Sequence, residues 1–280
     1  DCGDLIMEIG ALSQKITKPI AVRHRTPMIY IERSKVHVKN NTVMASNKDG
    51  SKELSVGSTA SIMLGPGTSI TDEAVKIIAR RDCLIMWTGG GGVPVNCIGT
   101  NYKIPKNLLI QTKIFCDERE RLRCAKEMLL RRNLFLTSSM TAVNQEDVDK
   151  CENVQQVMLT EARWAKAFYR DLCSVNQITL TREKMKLANY FCYGLVTSAI
   201  VNMGFSPNLG IVHGANRGGG LIFDVADWIK PVISNVTCVD AVTNNWTDNQ
   251  IKNRIIEKYN DSGFAKKIVD GLVSIYGLDN

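Results

Sequence analysis

Residues 83–116, CLIMWTGGGGVPVNCIGTNYKIPKNLLIQTKIFC, contain the change of pattern that decides the fold. The apolar run Cys83–Thr88 is short and is followed by glycines, as expected of a buried strand. From about Asn107 onward, apolar residues recur at intervals of three and four, which is typical of amphipathic helices. We therefore predict an α+β fold, with an N-terminal β-rich domain over residues 1–105 and a C-terminal all-α domain over residues 106–280.

The segments on either side of this change favour the same division. Two further short runs with strand character precede it, Met28–Glu32 and Lys35–Lys39. One helix is predicted among the strands, with Thr71 as its N-cap and basic residues from Arg80 at its end. Helical spacing then covers most of the second half, over residues 108–135, 152–173, 181–203 and 249–276.

The composition of the 280-residue chain limits its class. Hydrophobic residues make up 44% and charged residues 22%, which excludes a disordered, collagen-like or small disulfide-scaffold protein. The net charge of +7 is compatible with a polyanionic partner but does not require one. Nine cysteines without a Cys-x-x-Cys pair indicate reduced thiols, and the first residues lack a signal-peptide pattern. We therefore expect a cytoplasmic protein without a membrane segment, since the longest nearly apolar stretch, Phe191–Phe205, is too short to span.

Four consecutive glycines, Gly89–Gly92, follow the strand Cys83–Thr88 and could let backbone amides approach a phosphate. The spacing does not fit a nucleotide-binding motif, because Pro94 stands where a dinucleotide fingerprint needs glycine and no Gly-Lys-Ser/Thr follows. These residues favour a tight turn or a close backbone approach. A nucleotide-dependent enzyme is therefore disfavoured.

One acidic residue, Glu161, falls on the apolar face of the helix predicted over residues 152–173. It lies four residues after Val157 and three before Trp164, so helical geometry places its carboxylate among apolar side chains. A buried carboxylate needs a cation, a proton or a cleft, because burying an unpaired charge is costly. Two interpretations stay open, namely a buried ion pair with an arginine and a metal-binding or catalytic role.

Three basic residues, Arg163, Lys166 and Arg170, follow one another on a flanking stripe of the same helix. Such a stripe is often only a solvated face, but beside Glu161 it could hold the backbone phosphates of DNA. Arg217 is a fourth candidate for a phosphate contact. Contacts of this kind would position DNA without reading its sequence.

A glycine-rich apolar segment, GIVHGANRGGGLIFDVADWIKP over residues 210–231, contains the other conspicuous polar residues. Asp224 and Asp227 are three residues apart and share a face if a helix begins here and ends before the proline. One imidazole, from His213, together with carboxylates suits Mg²⁺ or Mn²⁺. The alternatives are a satisfied core histidine and an N-terminal capping role for Asp224. Only their combination with Glu161 favours a metal site.

This segment resembles the C-terminal signature of the Cas-one family, the integrases that insert new spacers into CRISPR arrays. The signature is a histidine followed about a dozen residues later by Asp-x-Ala-Asp, matched here by His213 and Asp224-Val-Ala-Asp227. The helical glutamate of the family is matched by Glu161 in Leu159-Thr-Glu-Ala-Arg-Trp-Ala-Lys166. Upstream, Leu64-Gly-Pro-Gly-Thr-Ser-Ile-Thr71 and the strand before the glycines resemble members associated with subtype I-F systems. The resemblance covers about residues 20–235.

The resemblance implies a β-rich domain that dimerises and a helical domain that binds a metal, with two dimers clasping prespacer DNA. It implies Glu161, His213 and Asp227 as catalytic residues and ligands of Mg²⁺ or Mn²⁺, with Asp224 as a nearby carboxylate that could join them. The implied reaction is transesterification, in which the 3′-hydroxyl of prespacer DNA attacks the CRISPR repeat boundary; with water as nucleophile the site would act as an endonuclease. The implied partners are double-stranded DNA, a second copy of the chain and a small Cas-two companion protein.

Two other kinds of protein remain as alternatives. A related transposon-type integrase of the same fold would use the same three ligands on transposon ends. A non-catalytic DNA-binding subunit would keep the basic stripe but would lack the Glu-His-Asp set, which is intact here.

Overall fold

The computed structural model describes residues 24–88, 95–99, 106–176, 178, 182–214, 218–261 and 263–278. A region of strands is followed by a region of helices, so the predicted α+β class is confirmed. Three features interpreted above from the sequence lie outside the described residues, namely Gly89–Gly92, Pro94 and Arg217.

The described residues of the N-terminal region form two four-stranded sheets. The first contains, in spatial order, β1 (Ile29–Ile31), β5 (Ser61–Leu64), β7 (Leu84–Thr88) and β8 (Val95–Gly99). The second contains, in spatial order, β4 (Gly50–Glu53), β3 (Thr42–Asn47), β2 (Lys35–Lys39) and β6 (Ser69–Ile70). In the first sheet β1, β5 and β7 are parallel and β8 is antiparallel to β7. The predicted strands around Met28–Glu32, Lys35–Lys39 and Cys83–Thr88 are therefore confirmed as β1, β2 and β7.

Helix α1 (Asp72–Arg80) packs against β2, β3 and β7. It begins where the sequence predicts, because the Thr71 side chain accepts a hydrogen bond from the Ala74 N–H at 3.3 Å. Its buried residues, Ala74 and Ile78, close an apolar cluster that includes Val36 of β2. The sheets and this helix thus have a buried core of their own.

The helical region follows, and its described helices are α2 (Lys106–Cys116), α3 (Glu118–Arg131), α4 (Gln145–Asp149), α5 (Val154–Asn176), α6 (Arg182–Asn202), α7 (Gly220–Ile229), α8 (Val236–Thr243), α9 (Asp248–Asp261) and α10 (Phe264–Tyr276). A 3₁₀ turn over Arg132–Leu134 follows α3, and a π-helical stretch over Pro231–Asn235 joins α7 to α8. Across the described ranges, no helix combines the length and the apolarity needed to cross a bilayer.

Two of the predicted helices are each divided in two. The pattern over 108–135 breaks at Asp117, whose carboxylate accepts the N–H groups of Arg119 and Glu120 at 2.9 and 3.0 Å and so caps α3. The pattern over 249–276 breaks before Gly263, where φ is +66°. A positive φ suits glycine and ends a helix locally. Apolar residues keep their helical spacing across both breaks, so periodicity alone does not reveal them.

Helix α6 lies against the first sheet and connects the two regions. Its Phe191 shares one buried cluster with Met63 of β5 and Met86 of β7. A Cβ on Gly194 would overlap the methyl group of Met63, so glycine lets the helix lie close to the strand. On its other sides α6 packs against α7, α9 and α10. Helix α6 is therefore the central element against which α7, with its acidic residues, packs.

Candidate metal centre

Helix α5 holds Glu161 on its inner face, as the helical spacing predicts. Val157 and Phe168 on the same face are buried, and the Glu161 side chain is only 14% exposed. Trp164 stacks on Phe168 with ring centroids 5.0 Å apart. The carboxylate of Glu161 therefore lies at the edge of an apolar surface, where an unpaired charge is unfavourable.

The carboxylate of Asp224 on α7 binds the loop that carries His213. Its Oδ2 accepts the N–H groups of Ile211 at 2.5 Å and Val212 at 3.1 Å, and its Oδ1 accepts the His213 N–H at 3.0 Å. The capping interpretation of Asp224 is wrong, because α7 begins at Gly220 and the carboxylate serves the amides of the loop instead of those of the helix.

The same carboxylate orients the imidazole of His213. Nδ1 of His213 lies 2.7 Å from Asp224 Oδ1. In the neutral ring this hydrogen bond favours the proton on Nδ1, which leaves the Nε2 lone pair as the available ligand atom. Burial alone would lower the pKa of His213, but the hydrogen bond and negative charge of Asp224 outweigh it and raise the pKa.

Glu161, His213 and Asp227 come together although they lie on three different segments, namely α5, the loop before α7 and α7 itself. One potential ligand atom of each residue lies within 4.8 Å of those of the other two. Asp224 is not part of this group, because its oxygens are occupied by the loop and by the imidazole. The structure therefore does not favour Asp224 as a fourth ligand.

Two buried cations lie beside these carboxylates. Arg132, in the 3₁₀ turn, places Nη2 2.6 Å from Glu161 Oε1 and 3.7 Å from Asp227 Oδ2. Lys230 places Nζ 2.5 Å from Asp227 Oδ1. Both interpretations of Glu161 thus have a counterpart in the structure, since it has an arginine partner and also belongs to a group that can hold a metal. Neither cation is predicted from the sequence, although the three-residue spacing of Asp227 and Lys230 is a usable signal.

The cations and the burial set the charges of the two carboxyl groups. Burial and the neighbouring carboxylate of Asp227 raise the pKa of Glu161 to about 7. Burial would also raise the pKa of Asp227, but the Lys230 ammonium outweighs it and holds the pKa of this carboxyl well below its usual range. Asp227 is therefore ionised at neutral pH, while Glu161 changes charge near it. A bound cation would favour the ionised form of both.

A small cavity of about 10 Å³ lies among these side chains. Its walls are formed by Met128, Leu129, Arg132, Val157, Glu161, Val212, Asp224 and Asp227. This volume suits a single occupant of the size of one water molecule.

Close backbone packing fixes the loop that carries His213. The Gly210 N–H donates to the Gly214 carbonyl oxygen at 3.2 Å. A Cβ on Gly220 would overlap the same carbonyl oxygen, and a Cβ on Gly210 would lie 2.6 Å from the carbonyl carbon of Gly220. Glycine at positions 210 and 220 therefore lets the loop touch the start of α7, which holds His213 close to Asp227.

The three basic residues predicted to contact phosphates, Arg163, Lys166 and Arg170, are exposed on α5. Arg163 donates to Thr160 Oγ1 at 3.0 Å, and Arg170 pairs with Asp171 at 3.0 Å. A groove of about 540 Å³ between α4 and α5 is lined in part by Arg163 and Lys166. These side chains are accessible to a ligand, and their contact with DNA stays a prediction.

Comparisons with known proteins agree with the motif resemblance. Residues 28–134 match the family model described as CRISPR associated protein Cas1. The CRISPR-associated endonuclease Cas1 of Pectobacterium atrosepticum is 24% identical over 315 residues, covering 95% of this chain and 97% of that protein. The CRISPR-associated endonuclease Cas1 1 of Rhodospirillum rubrum is 24% identical over 283 residues, covering 92% and 87%. These matches confirm the predicted likeness to the Cas-one (Cas1) family.

Solved Cas1 structures share the fold of this chain. The crystal structure of a TtCas1–DNA complex has a TM-score of 0.73 at 18% identity, covering 89% of this chain and 91% of that chain. A casposase bound to its integration product has a TM-score of 0.61 at 11% identity, covering 89% and 82%. At these identities the likeness shows the fold alone, and Cas1 proteins and casposases have it in common.

Proposed function

We propose that the chain is a divalent-metal-dependent DNA integrase and endonuclease of CRISPR adaptation, which joins the 3′-hydroxyl ends of prespacer DNA to the CRISPR repeat by transesterification. The observation that carries this proposal is the convergence of Glu161, His213 and Asp227 within 4.8 Å. The endonuclease names of the Cas1 relatives and the DNA bound in the TtCas1 complex support a DNA substrate.

The residues present fit Mg²⁺ or Mn²⁺. Two carboxylates and one imidazole suit these ions, and three protein ligands leave positions for water and phosphate oxygens. The cavity of about 10 Å³ matches one small occupant. When bound, the ion would neutralise the charge that develops on the scissile phosphate and orient the attacking hydroxyl.

The surrounding side chains prepare this group for a cation. When these acids are ionised and His213 is neutral, Glu161, Asp224 and Asp227 contribute three negative charges against the two positive charges of Arg132 and Lys230. The site therefore has a net charge of −1 and is partly buried. This charge attracts a divalent cation, and it repels a phosphodiester until the cation is bound. Asp224 orients His213, and Lys230 keeps Asp227 ionised.

The exposed cations of α5 supply the proposed DNA contacts. Arg163, Lys166 and Arg170 are accessible on the same helix as Glu161, and we include Arg217 because it lies between His213 and Asp224 in the sequence. Charged contacts to phosphates give affinity without sequence preference. That behaviour suits an enzyme that must accept prespacers of any sequence.

The proposed assembly follows the family. Residues 1–105 would form the dimerisation domain and residues 106–280 the catalytic domain, with two dimers binding one prespacer and the small Cas-two companion. The separate buried cluster of the strand region supports this division. The Leu64–Thr71 motif supports a subtype I-F-like member. Because the DNA substrates are in the cytoplasm, we place the protein there.

A transposon-type integrase remains the second candidate, and the shared fold with a casposase is the observation that favours it. It would use the same three ligands and the same reaction, so the two candidates differ only in the DNA they join. The test of function therefore needs both kinds of DNA end.

Replacement of the ligands provides this test. Glu161→Gln, which keeps a partner for Arg132, and Asp227→Ala should each lower joining of a labelled 3′-hydroxyl duplex to a repeat-bearing plasmid by about 100-fold or more. The reason is that each loses a ligand that the reaction requires. Joining is measured in Mg²⁺ and in Mn²⁺ by the labelled product on a gel, with duplex binding and circular dichroism as checks of folding.

Glu257→Ala is the matched control, because Glu257 is an exposed acid that pairs with Arg254 on α9. It should join DNA like the wild type, and EDTA should stop the reaction in both. Wild-type joining by either ligand variant, or full activity in EDTA, would contradict the metal-integrase proposal. Joining of transposon ends but not of prespacers would favour the second candidate.

A further inference from the structure

The guanidinium of Arg132 lies between the two carboxylates of the candidate metal centre. Its Nη2 is 2.6 Å from Glu161 Oε1 and 3.7 Å from Asp227 Oδ2, and its side chain is only 4% exposed. These are the carboxylates that the proposed metal ion also needs. Arg132 and a divalent ion therefore compete for the same negative charge.

Arg132 is incompletely satisfied in this position. Its Nε is buried and has no hydrogen-bond partner among the residues that the structure describes. An arginine that serves as a permanent partner of a carboxylate commonly forms two parallel hydrogen bonds, whereas here a single nitrogen makes both contacts. A buried donor left without a partner is unfavourable. The contact of Arg132 with the carboxylates is therefore weaker than one with two parallel hydrogen bonds.

A second group holds the charge of Arg132 independently of the carboxylates. The guanidinium carbon lies 4.5 Å from the centroid of the Trp164 ring, which is a cation–π contact. The indole is itself fixed, because its Nε1–H donates to the Thr141 carbonyl oxygen at 3.0 Å. Arg132 can therefore lose its carboxylate contacts without leaving its charge unpartnered.

We propose that Arg132 is an exchangeable counter-cation of the metal centre. It neutralises Glu161 and Asp227 until a divalent ion binds, and it then releases both carboxylates to the ion while Trp164 retains its guanidinium. This inference rests on the proposed function, since it requires that Glu161 and Asp227 bind a metal. In the metal-free state Arg132 forms the buried ion pair with Glu161, and in the metal-bound state the same carboxylate binds the ion.

Removal of the competing charge should strengthen metal binding. Arg132→Met keeps the apolar stem without the charge, and we expect it to bind Mg²⁺ roughly 10-fold more tightly than the wild type, as for two sites that oppose each other. Isothermal titration calorimetry of the full chain measures the affinity. Arg131→Met is the matched control, because Arg131 pairs with Glu127 and Ser274 instead of the metal group, and its Mg²⁺ affinity should equal that of the wild type.

The outcomes separate the inference from the proposed function. Equal or weaker Mg²⁺ binding by Arg132→Met, with measurable binding by the wild type, would overturn the exchange and leave the metal centre intact. Absence of Mg²⁺ and Mn²⁺ binding in every protein would instead contradict the proposed function.

A second measurement leaves Arg132 in place and does not depend on the folding of a variant. Glu161 pairs with the Arg132 guanidinium before Mg²⁺ binds and is released from it afterwards. Because this guanidinium lies over the Trp164 ring, Mg²⁺ should shift the fluorescence emission of this indole. The contribution of Trp164 is the Mg²⁺-induced shift of the wild type minus that of Trp164→Phe, which still contains Trp87, Trp228 and Trp246. A wild type that binds Mg²⁺ without any shift from Trp164 would refute the exchange.

Discussion

The carboxylate of Asp224 shows how much one residue can determine at this site. Its side chain is completely buried, and three backbone N–H groups and the His213 imidazole approach its two oxygens. A carboxylate offers about four acceptor positions, so these four contacts use all of them. Asp224 is therefore a positioning residue for His213, and not a group with capacity left for a metal.

Asp224→Asn tests this role, because the amide keeps the size but offers a single acceptor oxygen. We expect Mg²⁺ affinity to fall by about 10-fold to 100-fold, as for other groups that orient a metal-binding histidine. The pKa of His213 should also fall, because Asp224 contributes most to raising it. Calorimetry and an NMR titration of the imidazole measure the two effects.

Asp240→Asn is the control, since Asp240 is a partly exposed acid 3.7 Å from Lys258 and does not contact the metal group. It should change neither quantity. An unaltered pKa of His213 in Asp224→Asn would show that another group orients the ring, even if the protein is less stable.

Helix α5 presents different chemistry on two of its faces. Glu161 points inward to the metal group, while Arg163, Lys166 and Arg170 remain exposed. The cations are spaced by three and four residues, so they form one row along the helix. Glu161 lies two residues before Arg163, about 200° around the helix, so the row and the metal group lie on different faces of α5.

The row can be tested by its effect on salt dependence. Replacement of Arg163, Lys166 and Arg170 by Ala should weaken binding of a labelled duplex and lower the slope of log affinity against log salt by about 0.9 for each phosphate that the variant no longer neutralises. Replacement of Lys76, Arg80 and Arg81 removes the same charge at α1 and should alter the slope less. An unchanged slope in the α5 variant would mean that this row is only a solvated face.

An ion pair joins the strand region to the helical region. Lys252 of α9 places Nζ 3.0 and 2.9 Å from the two carboxylate oxygens of Glu32, which follows β1. The Tyr30 hydroxyl donates to the same carboxylate at 2.8 Å, and the Tyr30 ring lies 5.0 Å from the Lys252 ammonium. Burial alone would raise the pKa of Glu32, but the hydrogen bonds from Lys252 and Tyr30 outweigh it and lower the pKa.

Glu32→Gln should lower the free energy of unfolding by about 1.5 kcal/mol at pH 7, the low end for a hydrogen bond to a charged group. The pKa of Glu32 is lower in the folded protein than in the unfolded one, so the unfolded chain takes up this proton first as the pH falls. The difference between wild type and variant should therefore persist above pH 4.5 and shrink below it.

Urea unfolding at several pH values measures this difference. Glu53→Gln, at an exposed position of β4, is the control and should match the wild type throughout. A constant difference at every pH would show that Glu32 acts through packing and not through its charge.

Local rules predict much of this fold but little of the polar network around the site. Apolar spacing and the Thr71 cap are local, and they correctly predict β1, β2, β7 and α1. The motif resemblance correctly indicates that Glu161, His213 and Asp227 come together, although their roles stay predictions.

Apart from Lys230, three residues after Asp227, the partners of these residues depend on contacts that no spacing rule describes. Arg132 precedes Glu161 by 29 residues and contacts it only because α3 and α5 pack together. The capping interpretation of Asp224 fails because α7 begins four residues earlier, at Gly220. The carboxylate oxygens of Asp224 instead accept N–H groups of the loop, whose position cannot be read from the sequence. Tertiary packing decides both arrangements.

The backbone contact between Gly210, Gly214 and Gly220 has a consequence for how this chain can evolve. Every substitution of Gly220 adds a Cβ where the carbonyl oxygen of Gly214 already lies, so selection for folding alone should preserve the residue. Glu161 and Asp227 are under selection only while the chemistry is useful. In a lineage that has abandoned integration, the acids should therefore drift while the glycines persist, and an intact glycine pattern identifies a surviving scaffold but not a surviving enzyme.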